Sequence, residues 1–182
     1  MLGFPHDVRN MVFDKEAILR SMKKGSYLID HTTSSPDLAI EIFKEAQKIG
    51  VHSIDAPVSG GDIGASSGTV VTMVGAEKNH YDTVEPLLKC YSKTVELMGG
   101  PGSGQHTKAA NQIMIANNMV GVSEALIYSE KHNIDIDKLI KLLGGGAAGS
   151  FSLTALGPKM LKGDFNPGFY AEHLHKDLGI VV

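Results

Sequence analysis

A long stretch with a helical pattern and no proline, which begins after Gly104, constrains the fold of this chain more than any other feature. Pro101 precedes it, and proline at that place, followed by Gly102, keeps the entering backbone out of any preceding helix. The helical pattern continues to about His132, which is far longer than an ordinary globular helix. A helix of this length predicts a connection between two parts of the molecule.

Three polar side chains lie near the start of this predicted helix: Lys108, Asn111 and Gln112. Their spacings of three and four residues place them on one helical face, within about two turns of the N-terminus. The apolar residues that continue this face, and that we expect to be buried, are Ile115, Met119 and Val122.

This placement of Lys108 has a chemical consequence. A lysine withdrawn from water near the positive end of a helix dipole should have a lowered pKa, so that it exchanges a proton with a substrate oxygen near neutral pH. The amides of Asn111 and Gln112 could orient the group that the lysine contacts. The alternative is a surface lysine whose ammonium group extends into water.

The residues before the long helix alternate between strand and helix patterns, which predicts an α/β sheet with helical crossovers. Ligands of such sheets bind outside the carboxyl ends of the strands. Two polar loops leave such ends, at Thr32–Thr33 and at Ser59–Gly61, and are expected to line one crevice. The predicted strands are Ser26–Asp30, Val51–Asp55, Thr69–Gly75 and Thr94–Met98, with helices at Pro36–Ile49 and Lys78–Cys90 and a glycine-rich loop at Ala56–Gly68.

The residues after the long helix carry only helical patterns. Asp135–Leu143 is amphipathic, helix resumes at Ser152–Lys162, and another helix opens at Tyr170. The chain is therefore expected to change from α/β to all-α structure near Gly99–Gly104.

Composition excludes several classes of partner. The chain of 182 residues has a formal net charge of −3 and no basic cluster, which argues against nucleic acid or an anionic membrane as the main partner. No apolar run approaches the roughly 18 residues of a membrane span. Cys90 is the only cysteine and cannot form an internal disulfide, which fits a reducing compartment such as the cytoplasm, or an organelle matrix if a transit peptide lies upstream.

His173 and His175, close to Asp177, have a spacing that could indicate a metal site. No third ligand follows at a typical spacing, so a surface helix is the favoured interpretation and we expect no metal.

Three spaced motifs carry a resemblance to a known family. DAPVSGG at residues 55–61, GxGxxxKxxNQ at 102–112 and FxxxHxxKDLGI at 169–180 resemble the β-hydroxyacid dehydrogenase family. GGDIGA at 60–65 and GAAGS at 146–150 are most similar to its 3-hydroxyisobutyrate dehydrogenase-like branch. The resemblance implies a partial Rossmann-like sheet joined by the long helix to part of an all-α domain. Residues 1–101 would belong to an NAD(P)-binding domain and residues 102–182 to a substrate and dimerisation domain.

The resemblance also implies a role for individual residues. Lys108 matches the catalytic lysine that gives a proton to, or takes one from, the substrate oxygen, and Asn111 matches the asparagine that holds this oxygen. The substrate would be a small 3-hydroxyacid similar to 3-hydroxyisobutyrate, and the cofactor NAD or NADP. The positions that match substrate-binding residues are Ser59, Gly60 and Gly61, with Asn111 and Gln112 beside the lysine. The positions that match cofactor-binding residues are Leu2, Gly3, Thr33 and Lys176.

One part of the family pattern is absent from this sequence. The family opens with a strand and a GxGxxG turn that holds the cofactor pyrophosphate at a helix N-terminus, and this chain has neither. We therefore expect an internal fragment that is inactive alone and binds the cofactor poorly. Its first strand would be an unpaired edge, which predicts a homo-oligomer. NAD and NADP cannot be distinguished, because the discriminating residue follows an earlier strand of the family.

Two alternatives stay open. The chain could be a non-catalytic interaction or structural module that kept the fold without the cofactor-binding half. It could also be related to sugar-phosphate dehydrogenases, although no arginine lies near the motifs to bind a phosphate.

Overall fold

The computed structural model of this chain describes residues 1–15 and 17–181. The chain divides into two compact units. The first comprises Met1–Ala110 with Gly168–Val182, and the second comprises Asn111–Pro167.

The first unit contains a five-stranded sheet, as far as the described residues extend. The strands are β1 Tyr27–Asp30, β2 His52–Asp55, β3 Val58–Ser59, β4 Val70–Gly75 and β5 Ser92–Gly99. The helices of this unit are α1 Pro5–Phe13, α2 Ile18–Ser21, α3 Pro36–Lys48, α4 Gly61–Ser66 and α5 Lys78–Leu88, followed by the start of α6 Ser103–Lys131 and, from the later segment, α9 Ala171–Val181.

The sheet joins two parallel pairs of strands. β1 runs parallel to β2, and β4 runs parallel to β5, with α3 and α5 as the crossovers that the sequence predicted. β2 and β3 both pair antiparallel with β4 in one continuous register, in which Asp55 lies opposite Gly75 and Ser59 opposite Val71. β2 and β3 are therefore two parts of one interrupted strand beside β4. Pro57 lies between them, and its carbonyl accepts the N–H of Met73 at 3.0 Å.

The prediction of a continuous loop at Ala56–Gly68 is wrong, because this segment contains β3 and α4. Pairing with β4 makes a strand of Val58–Ser59, which is too short to show a period in the sequence. Gly60 and Gly61 then turn the chain into α4 with φ values of 136° and 62°, which favour glycine. The glycines that suggested a loop are the residues of a tight turn between two short elements.

Helix α3 has the start that its sequence predicts. Ser35 lies at the N-cap, where its hydroxyl accepts the N–H of Leu38 at 3.4 Å, and Pro36 occupies the first helical position. The buried side of α3 packs with α1 and α2 in an apolar cluster of Val8, Val12, Leu19, Leu38, Ile42, Ala46 and Val51. A second cluster lies between the sheet and α5 and comprises Ile54, Ala56, Val74, Ala76, Tyr81, Val84, Leu88 and Val95.

The second unit has only helices as regular secondary structure, joined by turns and short loops. It contains the rest of α6, α7 Ile136–Gly144, a π-helical turn at Ser152–Leu156 and α8 Gly157–Leu161. The predicted single helix Ser152–Lys162 is therefore two segments. Val122 is buried as expected, while Ile115 and Met119 are only half-buried. The core of this unit consists of Val122, Leu126, Ile140 and Leu153.

Among the described helices, none combines the length and the apolar character that a bilayer crossing requires.

Candidate active site

Asp55, the last residue of β2, anchors the beginning of α6 to the sheet. Its Oδ1 accepts the N–H of Gly102 at 2.7 Å, and its Oδ2 accepts the N–H of Gln105 at 2.9 Å. The first N–H groups of a helix have no partner within the helix, and negative charge is favoured there. The carboxylate therefore serves as an N-terminal cap that comes from a distant strand. Burial raises the pKa of Asp55, and the N–H groups that it accepts oppose this rise.

Gly104 allows the helix to approach the sheet this closely. A Cβ atom at this position would lie 2.5 Å from the carbonyl oxygen of Met73 and 2.7 Å from that of Asp55, closer than any side chain tolerates. The glycine-rich opening of α6 is thus required by packing against β2 and β4.

Gln105 joins the start of α6 to the loop that follows β1. Its side chain is 2% exposed; Oε1 accepts the N–H of Ser34 at 2.9 Å, and Nε2 donates to the carbonyl of Thr32 at 2.7 Å. Both polar ends of the buried amide are satisfied, as burial requires. The loop Thr32–Ser34, here called the β1 loop, is therefore fixed to α6.

Lys108 follows Gln105 by three residues and is only 6% exposed. Burial lowers its pKa to about 8; the charge of Asp177 raises this pKa and the charge of Lys176 lowers it further. The surface-lysine alternative predicts an exposed side chain, whereas Lys108 is buried. The downward shift has the direction expected from the sequence, and a lysine of this pKa can both give and accept a proton near neutral pH.

Two charged residues of α9 complete the surroundings of Lys108. Lys176 donates from Nζ to the carbonyl of Thr33 at 2.7 Å and forms an ion pair with Oδ1 of Asp177 at 2.8 Å. The Asp177 side chain is 1% exposed and the Lys176 side chain 11%. Helix α9 thereby brings one negative and one positive charge to the β1 loop and to Lys108.

The residues predicted to bind the cofactor lie around the β1 loop. The N–H of Leu2 donates to the hydroxyl of the buried Thr32 at 2.9 Å, with Gly3 next in sequence. Thr33 lies in the middle of the loop and is bound by Lys176. The structure therefore gathers all four predicted positions, Leu2, Gly3, Thr33 and Lys176, about one loop at the carboxyl end of β1.

The residues predicted to bind the substrate occupy two places. Ser59 ends β3 and is half-buried, and Gly60 and Gly61 are exposed in the turn that follows. Asn111 and Gln112 belong to the second unit's part of α6, where the Asn111 amide donates to Oε1 of Gln112 at 2.7 Å. Asn111 follows Lys108 by one helical turn, and Gln112 is 2% exposed.

Three residues of this site were not assigned from the sequence: Asp55, Gln105 and Asp177. Each lies within one of the three family motifs, near residues to which the sequence did assign a role. The sequence feature that could have identified them is a polar residue within a segment expected to be buried, because a buried polar side chain needs hydrogen-bond partners. The partners of Asp55 and Gln105 lie 47 to 73 residues away, so no local pattern reveals them.

His173 contacts aromatic rings, those of Phe4, Phe169 and Tyr170, at centroid distances of 5.8 to 6.0 Å. No group of three or more histidine, cysteine or carboxylate side chains in the described part of the chain has the arrangement of a metal site.

Two family models together match nearly the whole chain. Residues 1–100 match the model described as the NAD binding domain of 6-phosphogluconate dehydrogenase. Residues 102–182 match the model described as NAD-binding of NADP-dependent 3-hydroxyisobutyrate dehydrogenase. The chain belongs to the β-hydroxyacid dehydrogenase family. Members of this family are NAD(P)-dependent dehydrogenases.

Individual relatives agree with this membership. The chain is 46% identical over its full length to an uncharacterized oxidoreductase of Bacillus subtilis, of which it covers 63%. It is 45% identical, again over its full length, to the probable mitochondrial 3-hydroxyisobutyrate dehydrogenase-like protein 1 of Arabidopsis thaliana, of which it covers 54%. The chain thus spans 54 to 63% of the length of these curated relatives.

A solved structure shows the same fold. The 3-hydroxyisobutyrate dehydrogenase of Mycobacterium tuberculosis, solved with L-serine, superposes with a TM-score of 0.88 at 28% identity. The match covers 100% of this chain and 64% of that one. The α/β sheet with a long helix, predicted from the sequence, is confirmed.

Proposed function

We propose that this chain forms part of an NAD(P)-dependent dehydrogenase of a small 3-hydroxyacid, in which Lys108 is the general acid and base. The observation that carries the proposal is the buried side chain of Lys108, whose pKa is lowered to about 8. A lysine of this kind can protonate a carbonyl oxygen during reduction and accept the hydroxyl proton during oxidation. The nicotinamide cofactor supplies the hydride when bound.

The remaining roles follow the family pattern. Asn111 would hold the substrate oxygen beside Lys108, with Gln112 next to it. Ser59, Gly60 and Gly61 would bind the substrate carboxylate, because glycines leave backbone N–H groups accessible. The choice of a small 3-hydroxyacid as substrate is supported by the Mycobacterium tuberculosis relative, which was solved with L-serine. L-Serine is itself a 3-hydroxyacid, because its hydroxyl group is on the third carbon counted from the carboxylate.

The fit to NAD or NADP rests on the β1 loop. Buried Thr32, the carbonyl of Thr33 and the largely buried Lys176 offer donors and acceptors beside Leu2 and Gly3. The sequence contains no GxGxxG turn for a pyrophosphate, so this 182-residue chain alone is expected to bind the cofactor weakly and to be inactive.

The domain assignment and the association state are also part of the proposal. Residues 1–101 would belong to the cofactor-binding domain and residues 102–182 to the substrate domain. Strand β1 pairs with β2 alone within the described residues, and an unpaired edge favours association of copies. Sedimentation over a range of concentrations tests this; a monomer at the highest concentration contradicts it.

The experiment on function uses the chain joined to the segments of the Bacillus subtilis relative that lie outside the matched region. Formation of reduced cofactor is measured with 3-hydroxyisobutyrate, L-serine and related hydroxyacids, with NAD and with NADP, as a function of pH. We expect the rate of oxidation to rise through a pKa near 8, as Lys108 loses its proton. A folded protein without turnover on any of these compounds would contradict the proposal and favour a non-catalytic module.

A further inference from the structure

We propose that Gln105 is a positioning residue that holds the β1 loop in register with the helix that carries Lys108. This inference rests on the proposed function, because the loop is assigned to the cofactor and Lys108 to proton transfer. It assigns a task to a side chain that binds the β1 loop and that has no role in the proposed proton transfer itself.

The geometry of Gln105 is that of a two-ended connection. The N–H of Ser34 needs an acceptor and the carbonyl of Thr32 needs a donor, so only one orientation of the amide satisfies both. The backbone N–H of Gln105 is itself bound by Asp55, at 2.9 Å. The residue therefore ties the β1 loop to α6 with its side chain while its main chain is tied to β2.

The β1 loop, which Gln105 binds, also contacts a charged residue that acts on Lys108. The carbonyl of Thr33, between the two residues that Gln105 binds, accepts the ammonium group of Lys176 at 2.7 Å. Lys176 lowers the pKa of Lys108 and is paired with Asp177, which raises it. A displaced β1 loop would therefore change both the cofactor site and the charge balance around Lys108.

Two nearly isosteric substitutions separate the donor and acceptor contributions of the Gln105 side-chain amide. Gln105→Met keeps most of the volume and removes both hydrogen bonds. Gln105→Glu keeps the acceptor for Ser34, but its ionised carboxylate cannot donate to Thr32. When protonated, the same carboxyl group donates again, and burial raises its pKa so that protonation occurs at accessible pH. Gln47→Glu, on the exposed side of α3, is the matched control.

The first readout is amide hydrogen exchange of Ser34 in the 182-residue chain, which needs no activity. We expect exchange about tenfold faster in Gln105→Met, the equivalent of one lost hydrogen bond, and no change in Gln47→Glu. Unchanged exchange at Ser34 in a folded Gln105→Met protein would overturn the inference. If this variant fails to fold, Gln105→Glu decides: the ratio of its Ser34 exchange rate to that of the unsubstituted protein at the same pH must fall as pH falls, because the protonated carboxyl group again binds both ends of the loop.

The second readout is turnover of the chain joined to the outer segments of the Bacillus subtilis relative. We expect Gln105→Glu to have a KM for the cofactor raised about tenfold near pH 8, and to recover toward the unsubstituted protein as pH falls. A loss of stability alone would not produce this recovery at temperatures well below melting. A cofactor KM ratio that does not change with pH overturns the inference. If the unsubstituted protein has no turnover, the proposed function fails. The hydrogen exchange of Ser34 then still tests whether Gln105 holds the β1 loop to α6.

Discussion

Oδ2 of Asp55 accepts the backbone N–H of Gln105 at 2.9 Å, so that a residue of strand β2 closes the first turn of helix α6. Three residues later the same helix carries Lys108, and the buried side chain of this lysine is placed by the sheet as well as by its own helix. The position of the candidate catalytic group is therefore linked to the stability of strand β2.

Replacing Asp55 by alanine should destabilise the first unit. The change leaves the N–H groups of Gly102 and Gln105 buried without an acceptor, which should reduce the free energy of unfolding by about 3 kcal/mol. Urea denaturation measures the loss. Asp37→Ala, an exposed aspartate in the first turn of α3, is the control and should cost well under half as much. Equal losses for the two variants would show that Asp55 is not a buried cap.

Replacing Lys108 should reduce turnover of the protein joined to the outer segments of its Bacillus subtilis relative. Lys108→Ala is expected to lower turnover by roughly two to four orders of magnitude, the usual contribution of general acid–base catalysis. Lys108→Arg should rescue little, since a guanidinium group keeps its proton near neutral pH. Asn111→Ala should cost less, because it loses orientation and not the proton. Lys131→Ala, at the far end of α6, is the control; turnover that survives in Lys108→Ala with an unchanged pH profile refutes the assignment.

The two charged residues of α9 should move the pKa of Lys108 in opposite directions. Asp177→Asn removes a negative charge and should lower the pKa further below about 8, whereas Lys176→Met removes a positive charge and should raise it. The pH dependence of acylation of Lys108, followed by mass spectrometry, reports this pKa without any turnover. Glu172→Gln, exposed on the same helix, should leave it unchanged. Shifts of the same sign in both α9 variants would contradict the arrangement.

The stacked rings of His52 and His80 should make stability depend on pH. Their centroids are 3.8 Å apart, and burial, followed by the charge of His80, lowers the pKa of His52, while Glu77 acts in the opposite sense. A histidine with a lowered folded-state pKa stabilises the protein fully above its unfolded pKa of about 6.5, and this contribution is lost as pH falls through the folded-state pKa.

The measurement is the free energy of unfolding on both sides of this range. His52→Phe retains a stacked ring without a titrating group and should lose less stability on acidification than the unsubstituted protein. The exposed His175→Gln should behave like the unsubstituted protein. An acid sensitivity that is the same in His52→Phe would show that other groups cause it.

Local patterns in the sequence were sufficient for the larger elements of the fold. A continuous apolar run marked the buried strand β4, and a long helical pattern without proline marked α6, because elements of this length carry a pattern that the sequence shows. β3 escaped prediction because two residues cannot show a period. In the candidate site, Lys108 could be selected from its position in a helix, whereas Gln105 could not. Its role depends on hydrogen bonds to Thr32 and Ser34, more than 70 residues away in the chain.

The single register that β2 and β3 keep along β4 fixes the number of residues between Asp55 and Ser59. An inserted or deleted residue there would turn every following side chain to the opposite face, or draw the carboxylate of Asp55 away from the start of α6. Relatives of this chain should therefore differ in the side chains between Asp55 and Ser59 but not in the number of residues there.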